Sequence, residues 1–289
     1  MIAGIWVPLV TPFKDGAVDL VSYRRLIEHY VGKGVSGLFP LGTTGEAPTI
    51  DDDEEDAIVA ETVDAVAGRV PIFVGIGGNA TAKVIKTIRR LDRLEISGVV
   101  SVCPYYNRPT QAGMYEHFTA ISEATGRKVL IYNIPYRTSV NLSNETLLRL
   151  AELPNIVGVK DSSGSLAQSL ELMMSRPPGF SVMTGEDALF FPLLCCGADG
   201  GILASAHLAT DRFVKIAQHV AANDLLGARA IWEPLQRFVP RLFDEANPIP
   251  IKHCLWRQGL IASPECRLPL TAISVELGGI LDRMLTDLA

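Results

Sequence analysis

Lys160 is the residue of this chain best placed to do covalent chemistry. It closes the apolar run 155–160 (NIVGVK) and is followed at once by the turn-forming residues 161–164 (DSSG). An amine held at a strand end loses water, which favours its neutral form, and a neutral amine can attack a carbonyl carbon to form an imine. A lysine that extends its ammonium group into solvent is the commoner case for such a position taken alone. A catalytic interpretation of Lys160 therefore needs partner residues.

Candidate partners follow other apolar runs of the sequence. Thr43 and Thr44 lie between two glycines and can offer hydroxyl and N–H groups to a carboxylate, or can simply cap the next helix. Tyr132, one apolar run before Lys160, can relay protons, and Arg137 offers a planar fork for a second carboxylate. These residue types are the ones an imine-forming enzyme needs.

Eight short apolar runs alternate with segments of helical period, such as the stripe Phe213, Ile216, Ala217 and Val220. Near-continuous apolar strands separated by helices indicate a parallel sheet that is buried on both faces. The sequence therefore predicts a (β/α)8 TIM barrel over residues 1–222, in which catalytic groups lie at the C-terminal ends of the strands. The predicted strands are 4–10, 37–41, 71–76, 98–103, 129–133, 156–160, 180–184 and 200–204.

After the last predicted strand the pattern becomes purely helical, over 223–243, 248–259 and 272–288. Residues 223–289 are therefore predicted to form a C-terminal helical extension that packs on the barrel or on a neighbouring subunit. In the segment 247–252 (NPIPIK), Asn247 is interpreted as a helix cap and Pro248 as a residue of the first helical turn.

Composition excludes several classes of function. The chain has 289 residues, a formal net charge of −6 and no run of basic residues. Nucleic acid and anionic membranes are therefore not expected as partners, because both bind clustered Lys and Arg. Pro8 and Pro12 interrupt the apolar N-terminus, so a signal peptide or membrane span is not expected. The five cysteines lack zinc spacing and a disulfide framework, so we expect no metal and a reducing, cytoplasmic location.

One glycine motif imitates a dinucleotide site. Residues 75–80 (GIGGNA) have the form G-x-G-x-x-A between a strand and a helix, with Glu95 downstream. However, Glu95 precedes the next strand instead of ending it, and the motif falls in the third strand-helix unit. The glycines are better explained as backbone room at the barrel rim, and no organic cofactor is expected.

Five motifs together resemble the family of pyruvate-dependent class I aldolases that contains dihydrodipicolinate synthase and N-acetylneuraminate lyase. The resemblance covers essentially the whole chain. The motifs are GTTGE at 42–46, PYYNRP at 104–109, YNIPYRT at 132–138, GVKD at 158–161 and NPIPIK at 247–252.

The resemblance implies a role for each candidate residue. Lys160 forms an imine with pyruvate, and Tyr132, Thr44 and Tyr106 relay protons, with Tyr106 reaching the site of a neighbouring subunit. Thr43 and Thr44 hold the pyruvate carboxylate. In addition, Ile202 packs beside pyruvate, Gly185 leaves room for the incoming aldehyde, and Arg137 receives the carboxylate of the second substrate.

The identity of the second substrate depends on Arg137. Sialic acid lyases of the family typically carry GSTGE and lack an arginine at this place, so the resemblance implies condensation of pyruvate with aspartate 4-semialdehyde, without a metal or organic cofactor. The product, 4-hydroxy-tetrahydrodipicolinate, leads to lysine and diaminopimelate. The alternatives are an aldolase or dehydratase of 2-keto-3-deoxy sugar acids and a non-catalytic pyruvate sensor. Apolar helices and Tyr106 suggest a homotetramer that is a dimer of dimers.

Feedback by lysine is not expected. Lysine-inhibited relatives use a serine, two histidines, an asparagine and a glutamate in the regulatory pocket. The matching places here are Ala47, Asp52, Glu55, Asn79 and Lys83, so that only Asn79 and the neighbouring Tyr105 are kept. The positive charge of Lys83 would oppose the ammonium group of the ligand by about 1 kcal/mol or more. Turnover measured against added lysine should stay constant, and half-maximal inhibition at micromolar lysine would contradict the expectation.

Overall fold

Eight parallel strands alternate with helices, so the predicted (β/α)8 barrel is confirmed. The structure is a computed structural model that describes residues 1–288, and the side chains of residues 1–287. The strands are β1 (Gly4–Val7), β2 (Gly37–Leu38), β3 (Phe73–Gly75), β4 (Gly98–Val102), β5 (Lys128–Asn133), β6 (Ile156–Asp161), β7 (Ser181–Thr184) and β8 (Gly200–Ile202).

Each predicted strand overlaps an observed one. β5 and β6 are one residue longer than predicted, at Lys128 and Asp161, and several other strands end earlier than predicted. β1 stops at Val7 and β2 at Leu38. A proline follows each of them closely, Pro8 after β1 and Pro40 after β2, and proline has no N–H to donate to a strand ladder. Two backbone hydrogen bonds still join the two segments beyond these ends, from the N–H of Phe39 to the carbonyl of Val7, at 3.0 Å, and from the N–H of Leu9 to the carbonyl of Phe39, at 2.9 Å.

The chain divides into two compact units. The first unit contains Met1–Gly4 and Ile72–Ile202. In it, strands β3 to β8 pair in chain order, and the register places Tyr132 of β5 opposite Lys160 of β6 and Lys160 opposite Met183 of β7. The register therefore brings two of the predicted catalytic residues side by side.

The second unit contains Ile5–Pro71 and the chain from Leu203 onward. Here β1 pairs with β2, and Trp6 lies opposite Gly37. A Cβ at Gly37 would lie 2.5 Å from the indole of Trp6, so only glycine leaves room for this ring. The pairing explains why a glycine begins β2.

Twelve α-helices follow or connect the strands within the described residues. Their bounds are α1 (Leu20–Gly32), α2 (Asp52–Val66), α3 (Thr81–Leu91), α4 (Gln111–Ala124), α5 (Pro135–Thr138), α6 (Asn144–Leu150), α7 (Leu166–Ser175), α8 (Phe190–Cys195), α9 (Thr210–Ala221), α10 (Leu225–Phe238), α11 (Ile249–Arg257) and α12 (Val275–Leu288). The predicted helices after residue 222 correspond to α10, α11 and α12. The boundary at 222/223 stays a prediction, and residue 289 lies outside the described residues.

Sequence analysis did not assign a short antiparallel hairpin in the second unit. Phe13–Lys14 pairs with Ala17–Val18 through a turn at Asp15 and Gly16, which have φ angles of 54° and 82°. Two consecutive residues in this left-handed region are the requirement of a tight hairpin turn, and Asp-Gly is a preferred sequence for it. The hairpin carries the buried ring of Phe13.

Two kinds of feature are absent from the described residues. No helix within 1–288 is long and apolar enough to cross a membrane. The same residues contain no group of three histidine, cysteine or acidic side chains arranged to hold a metal ion.

Gly158 of β6 should not tolerate even a methyl group. A Cβ at this position would lie 2.2 Å from the carbonyl oxygen of Ser181 in the neighbouring strand β7. Gly158→Ala is therefore expected to lower the free energy of unfolding by about 3 kcal/mol, as overpacking against rigid backbone does. Thermal and denaturant unfolding measure the loss. Gly126→Ala is the matched control, since a Cβ there meets nothing within 4 Å, and equal stability of the two variants would contradict the prediction.

Candidate active site

Lys160 is buried at the C-terminal end of β6. Only 5% of its surface is exposed. Its Nζ lies 4.2 Å from the centroid of the Tyr132 ring on the adjacent strand. A parallel sheet places the ends of neighbouring strands at the same edge, so the pairing of β5 with β6 creates this contact directly.

Burial makes the amine of Lys160 reactive. It lowers the pKa of Lys160 from 10.5 to about 8, because water no longer solvates the ammonium form. The negative charges of Asp187 and Glu186 oppose this shift, and the positive charge of Arg137 adds to it. A substantial neutral fraction near neutral pH allows nucleophilic attack on a carbonyl carbon.

Tyr132 is equally buried, with 6% of its surface exposed. Burial raises the pKa of Tyr132, and the nearby Tyr136 raises it further. The phenol therefore keeps its proton at neutral pH. It can donate that proton to an oxygen that develops beside Lys160 and take it back later, as the prediction of a proton relay requires.

Gly185 leaves space for the reactive lysine itself. A Cβ at this position would lie 2.7 Å from Cε of Lys160 and 2.3 Å from the hydroxyl oxygen of Ser162. The backbone of Gly185 is fixed by a hydrogen bond from its N–H to the carbonyl of Asp161, at 2.8 Å. Any side chain here would displace Lys160. This contact does not test the prediction that Gly185 leaves room for the incoming aldehyde, which stays a prediction.

Two acidic residues follow Gly185, and sequence analysis gave neither of them a role. Burial, together with the charges of Asp187 and Asp161, raises the pKa of Glu186 from 4.5 to about 7, although Lys160 opposes the shift. Oε1 of Glu186 is buried and has no hydrogen-bond partner among the described residues. A carboxyl group that titrates near neutrality beside an amine can exchange protons with the reacting atoms. Its only sequence signal was its position after a strand end.

Asp161 holds the turn that follows Lys160. Its carboxylate accepts hydrogen bonds from the N–H of Ser163, at 3.0 Å, and from the hydroxyl of Ser169, at 2.5 Å. These bonds join the end of β6 to α7. They explain why the run that ends in Lys160 continues as Asp-Ser-Ser.

Arg137 lies in the short helix α5, directly after β5. Its side chain is exposed, and its guanidinium carbon lies 5.5 Å from the centroid of the Tyr136 ring. The arginine contributes electrostatically at Lys160, because its charge helps to lower the pKa of that residue. It is therefore a cation at the exposed side of the lysine site.

Thr43 and Thr44 belong to the second unit, in a 3₁₀ turn over Thr43–Gly45. Thr44 is buried, Thr43 is half-buried, and the hydroxyl oxygen of Thr44 accepts a hydrogen bond from Nδ2 of Asn247, at 2.9 Å. The interpretation of Asn247 as a helix cap is wrong, because its side-chain amide is directed to Thr44. The cap position of α11 belongs to Pro248, which has no side-chain cap bond.

The whole chain matches known proteins. A family model described as the dihydrodipicolinate synthetase family matches residues 1–287. The chain belongs to this family. A 4-hydroxy-tetrahydrodipicolinate synthase 2 of Clostridium acetobutylicum is 52% identical over 98% of this chain and 99% of the relative.

Solved structures of the family have the same fold. The dihydrodipicolinate synthase of Thermotoga maritima matches with a TM-score of 0.96 and 38% identity, over 99% of this chain and 98% of that one. A chloride-inhibited dihydrodipicolinate synthase of Acinetobacter baumannii, complexed with pyruvate, matches with a TM-score of 0.96 and 36% identity, over 99% of both chains.

Two other predicted residues of this dihydrodipicolinate synthetase family member have contrasting surroundings. Ile202 ends β8 and is 1% exposed. Tyr106, in contrast, is 88% exposed and has a φ angle of 73°, which is unusual for a residue with a side chain. The chain thus holds a large aromatic ring away from its own core.

Replacement of Lys160 should stabilise this family member while it removes the amine. The folded-state pKa of Lys160 is about 8, below the unfolded value of 10.5. As pH falls from 10.5 to 8 the unfolded state binds this proton more readily than the folded state, so the free energy of unfolding decreases. Lys160→Met should gain about 3 kcal/mol of unfolding free energy at pH 7 and only about 1 kcal/mol near pH 9.5.

Denaturant unfolding at both pH values measures the gain. Lys128→Met is the control, because Lys128 is exposed at the start of β5 in the same unit and should change little. A gain for Lys160→Met that did not shrink with rising pH would contradict the assigned shift.

Proposed function

We propose that the chain condenses pyruvate with aspartate 4-semialdehyde to give 4-hydroxy-tetrahydrodipicolinate, through an imine on Lys160. The observation that carries this proposal is the buried amine of Lys160, whose pKa is about 8 and which lies over the ring of Tyr132, in a full-length member of the dihydrodipicolinate synthetase family. The imine forms between substrate and side chain, so the reaction uses no organic cofactor. The product is the first committed intermediate toward lysine and diaminopimelate.

The chemistry begins with the neutral amine. Lys160 attacks the keto carbon of pyruvate, and the keto oxygen leaves as water after it accepts protons, for which Tyr132 is the adjacent donor. Loss of a methyl proton gives the enamine, which attacks the aldehyde carbon of the second substrate. The amino group of that substrate then displaces Lys160, which closes the ring and frees the enzyme.

Thr43 and Thr44 are proposed to bind the pyruvate carboxylate through their hydroxyl and N–H groups, with Thr44 also in the proton relay. The buried hydroxyl of Thr44, held by Asn247, supports this role. Ile202 is proposed to pack beside pyruvate as an apolar wall, and Gly185 to leave room for the aldehyde. These roles follow the family resemblance of the motifs.

Turnover with both substrates tests the proposed function. Product formation is coupled to a dihydrodipicolinate reductase and followed as loss of NADPH, with Lys160→Ala as the control. Lys160-dependent turnover is the expected result. Trapping by borohydride and pyruvate without turnover would instead favour the alternative of an aldolase or dehydratase of 2-keto-3-deoxy sugar acids. Tight pyruvate binding by Lys160→Ala would favour the non-catalytic sensor.

Arg137 should select the second substrate without serving the first. Its exposed guanidinium is proposed to bind the carboxylate of aspartate 4-semialdehyde, and loss of a charged hydrogen bond costs about 1.5–3 kcal/mol. Arg137→Ala should therefore reduce kcat/KM for the semialdehyde by about 10- to 100-fold. Borohydride trapping with pyruvate should slow much less, because Arg137 is the smallest of the contributions to the pKa of Lys160.

Arg149→Ala provides a matched control for this variant. Arg149 also stacks on a tyrosine of the first unit, 4.2 Å from the ring centroid of Tyr115, but it joins helices α4 and α6. Unchanged kinetics in Arg137→Ala, or an equal loss in Arg149→Ala, would argue against the assignment of Arg137.

Tyr106 is proposed to complete the site of a neighbouring subunit in a homotetramer. Its exposed ring and strained backbone support this role, since both are tolerated where a partner covers them. Mixed oligomers of Tyr106→Phe and Lys160→Ala should then regain activity, because each subunit supplies what the other lacks.

Refolding the two inactive variants together and assaying turnover checks this prediction. Mixed Lys160→Ala and Tyr132→Phe should regain none, since both residues act from the same subunit. Recovery in neither mixture would place Tyr106 outside the neighbouring site. Light scattering on the wild type tests the tetramer directly.

A further inference from the structure

A buried carboxylate follows the threonine pair in the second unit. Glu46 is 3% exposed and has a φ angle of 54°, in the left-handed region that residues with side chains rarely adopt. It ends the 3₁₀ turn Thr43–Gly45 and begins the next turn, Ala47–Thr49. A charged residue in this conformation needs strong partners on its side chain.

Both partners come from the C-terminal extension. The Nζ group of Lys252, on α11, donates a hydrogen bond to Oε1 of Glu46 and another to the carbonyl of Glu265, at 2.8 Å. The backbone N–H of Arg267 donates to Oε2 of Glu46, at 3.0 Å. Each carboxylate oxygen is therefore bonded to a different segment of the extension.

The hairpin closes the other side of this cluster. The ring of Phe13 lies 4.1 Å from Nζ of Lys252 and 4.3 Å from the guanidinium carbon of Arg267, both measured to the ring centroid. Arg267 also binds Glu54 at the start of α2 through both terminal nitrogens, at 2.6 and 2.5 Å. Lys252 is fully buried, and no part of its side chain is exposed to water.

The same end of the extension touches the threonine pair itself. Asn247 lies two residues before α11 and donates Nδ2 to the hydroxyl oxygen of Thr44, at 2.9 Å. The hydroxyl of Thr11 meanwhile holds the carbonyl of Gly45, at 2.8 Å. The turn that carries Thr43 and Thr44 is thus bonded on its threonine side by Asn247 and at its end by Lys252 and Arg267.

A buried ion pair is a poor way to gain stability. Removal of two charges from water costs about as much as their attraction returns, and an apolar pair of similar volume often serves a fold equally well. What an ion pair bonded on both carboxylate oxygens does provide is a defined geometry. That geometry is imposed within two residues of Thr44.

We propose that Glu46, Lys252 and Asn247 are positioning residues that set the orientation of Thr43 and Thr44 for the pyruvate carboxylate. The inference deepens the proposed function and rests on it. It gives the C-terminal extension a part in substrate binding that acts through the threonines. Asn247 and Lys252 of the NPIPIK motif bond to Thr44 and Glu46 of the GTTGE motif. None of the three residues contacts reacting atoms in this role.

Paired replacement of the ion pair tests the proposal. Glu46→Leu combined with Lys252→Met removes both charges and fills similar volume, so the full-length protein should still fold. Its melting temperature should fall, because the carbonyl of Glu265 and the N–H of Arg267 lose these partners. KM for pyruvate should rise at least 10-fold, and borohydride trapping at low pyruvate should slow by a similar factor. KM for the semialdehyde should change much less.

His253→Gln is the matched control. His253 is the next residue of α11, and its Nε2 lies 3.0 Å from the carboxylate of Asp282 on α12, so it holds the same helix without touching the threonine turn. Its KM for pyruvate should stay at the wild-type value. A folded paired variant with wild-type KM and trapping rate, or an equal change in His253→Gln, would overturn the proposal.

Asn247→Ala decides the matter if the paired variant fails to fold. It removes the bond to Thr44 and leaves the ion pair intact, and it should raise KM for pyruvate while the melting temperature holds; an unchanged KM would overturn the proposal. Borohydride trapping of the wild type with pyruvate distinguishes a failure of the proposed function from a failure of the positioning role. If the wild type is not trapped, the proposed function fails, whereas a trapped wild type with unaffected variants removes only the positioning role.

Discussion

The burial of one amine governs the organisation of this molecule. Lys160 is buried between the strands on both sides, in space that exists because Gly185 has no side chain. The cost of this burial, about 3 kcal/mol at neutral pH, is a sizeable fraction of the net stability of a typical domain. The continuous apolar strands of the barrel have to offset it. The fold thus contains a buried amine that lowers its stability, at the position proposed for imine formation.

The same principle explains the groups around the lysine. Tyr132 keeps its proton because it is buried, and Glu186 holds its proton up to near neutrality because burial and two neighbouring carboxylates disfavour its charge. Low dielectric thus drives all three groups toward their neutral forms. Lys160 and Glu186, whose pKa values are brought close to neutrality, can therefore exchange protons with small changes in energy.

Sequence predicted the features that depend on local pattern. The eight apolar runs predicted the strands, and the order of those strands along the chain put Lys160 beside Tyr132. The strand-end position of Lys160 taken alone favoured an exposed ammonium group, and only the partner residues at other strand ends favoured a catalytic interpretation. Chain pattern could not predict contacts between distant segments. The hydrogen bond from Asn247 to Thr44 and the ion pair of Lys252 with Glu46 join residues about two hundred positions apart. The spacing of apolar residues along the chain carries no information about such long-range contacts. The hairpin at Asp15 and Gly16 carried a recognisable turn signal that sequence analysis did not use.

The position of Arg137 has a consequence for how such a protein can change. The lysine packs on the tyrosine and against the glycine, so a substitution at either neighbour disturbs the lysine. Arg137 is exposed on a short helix beyond the strand end and packs mainly on Tyr136. Substitutions at this exposed position therefore disturb folding little, whereas substitutions at the buried lysine and its neighbours disturb packing. Under the role proposed for Arg137, the choice of second substrate is thus less constrained by the fold than the chemistry of the buried amine.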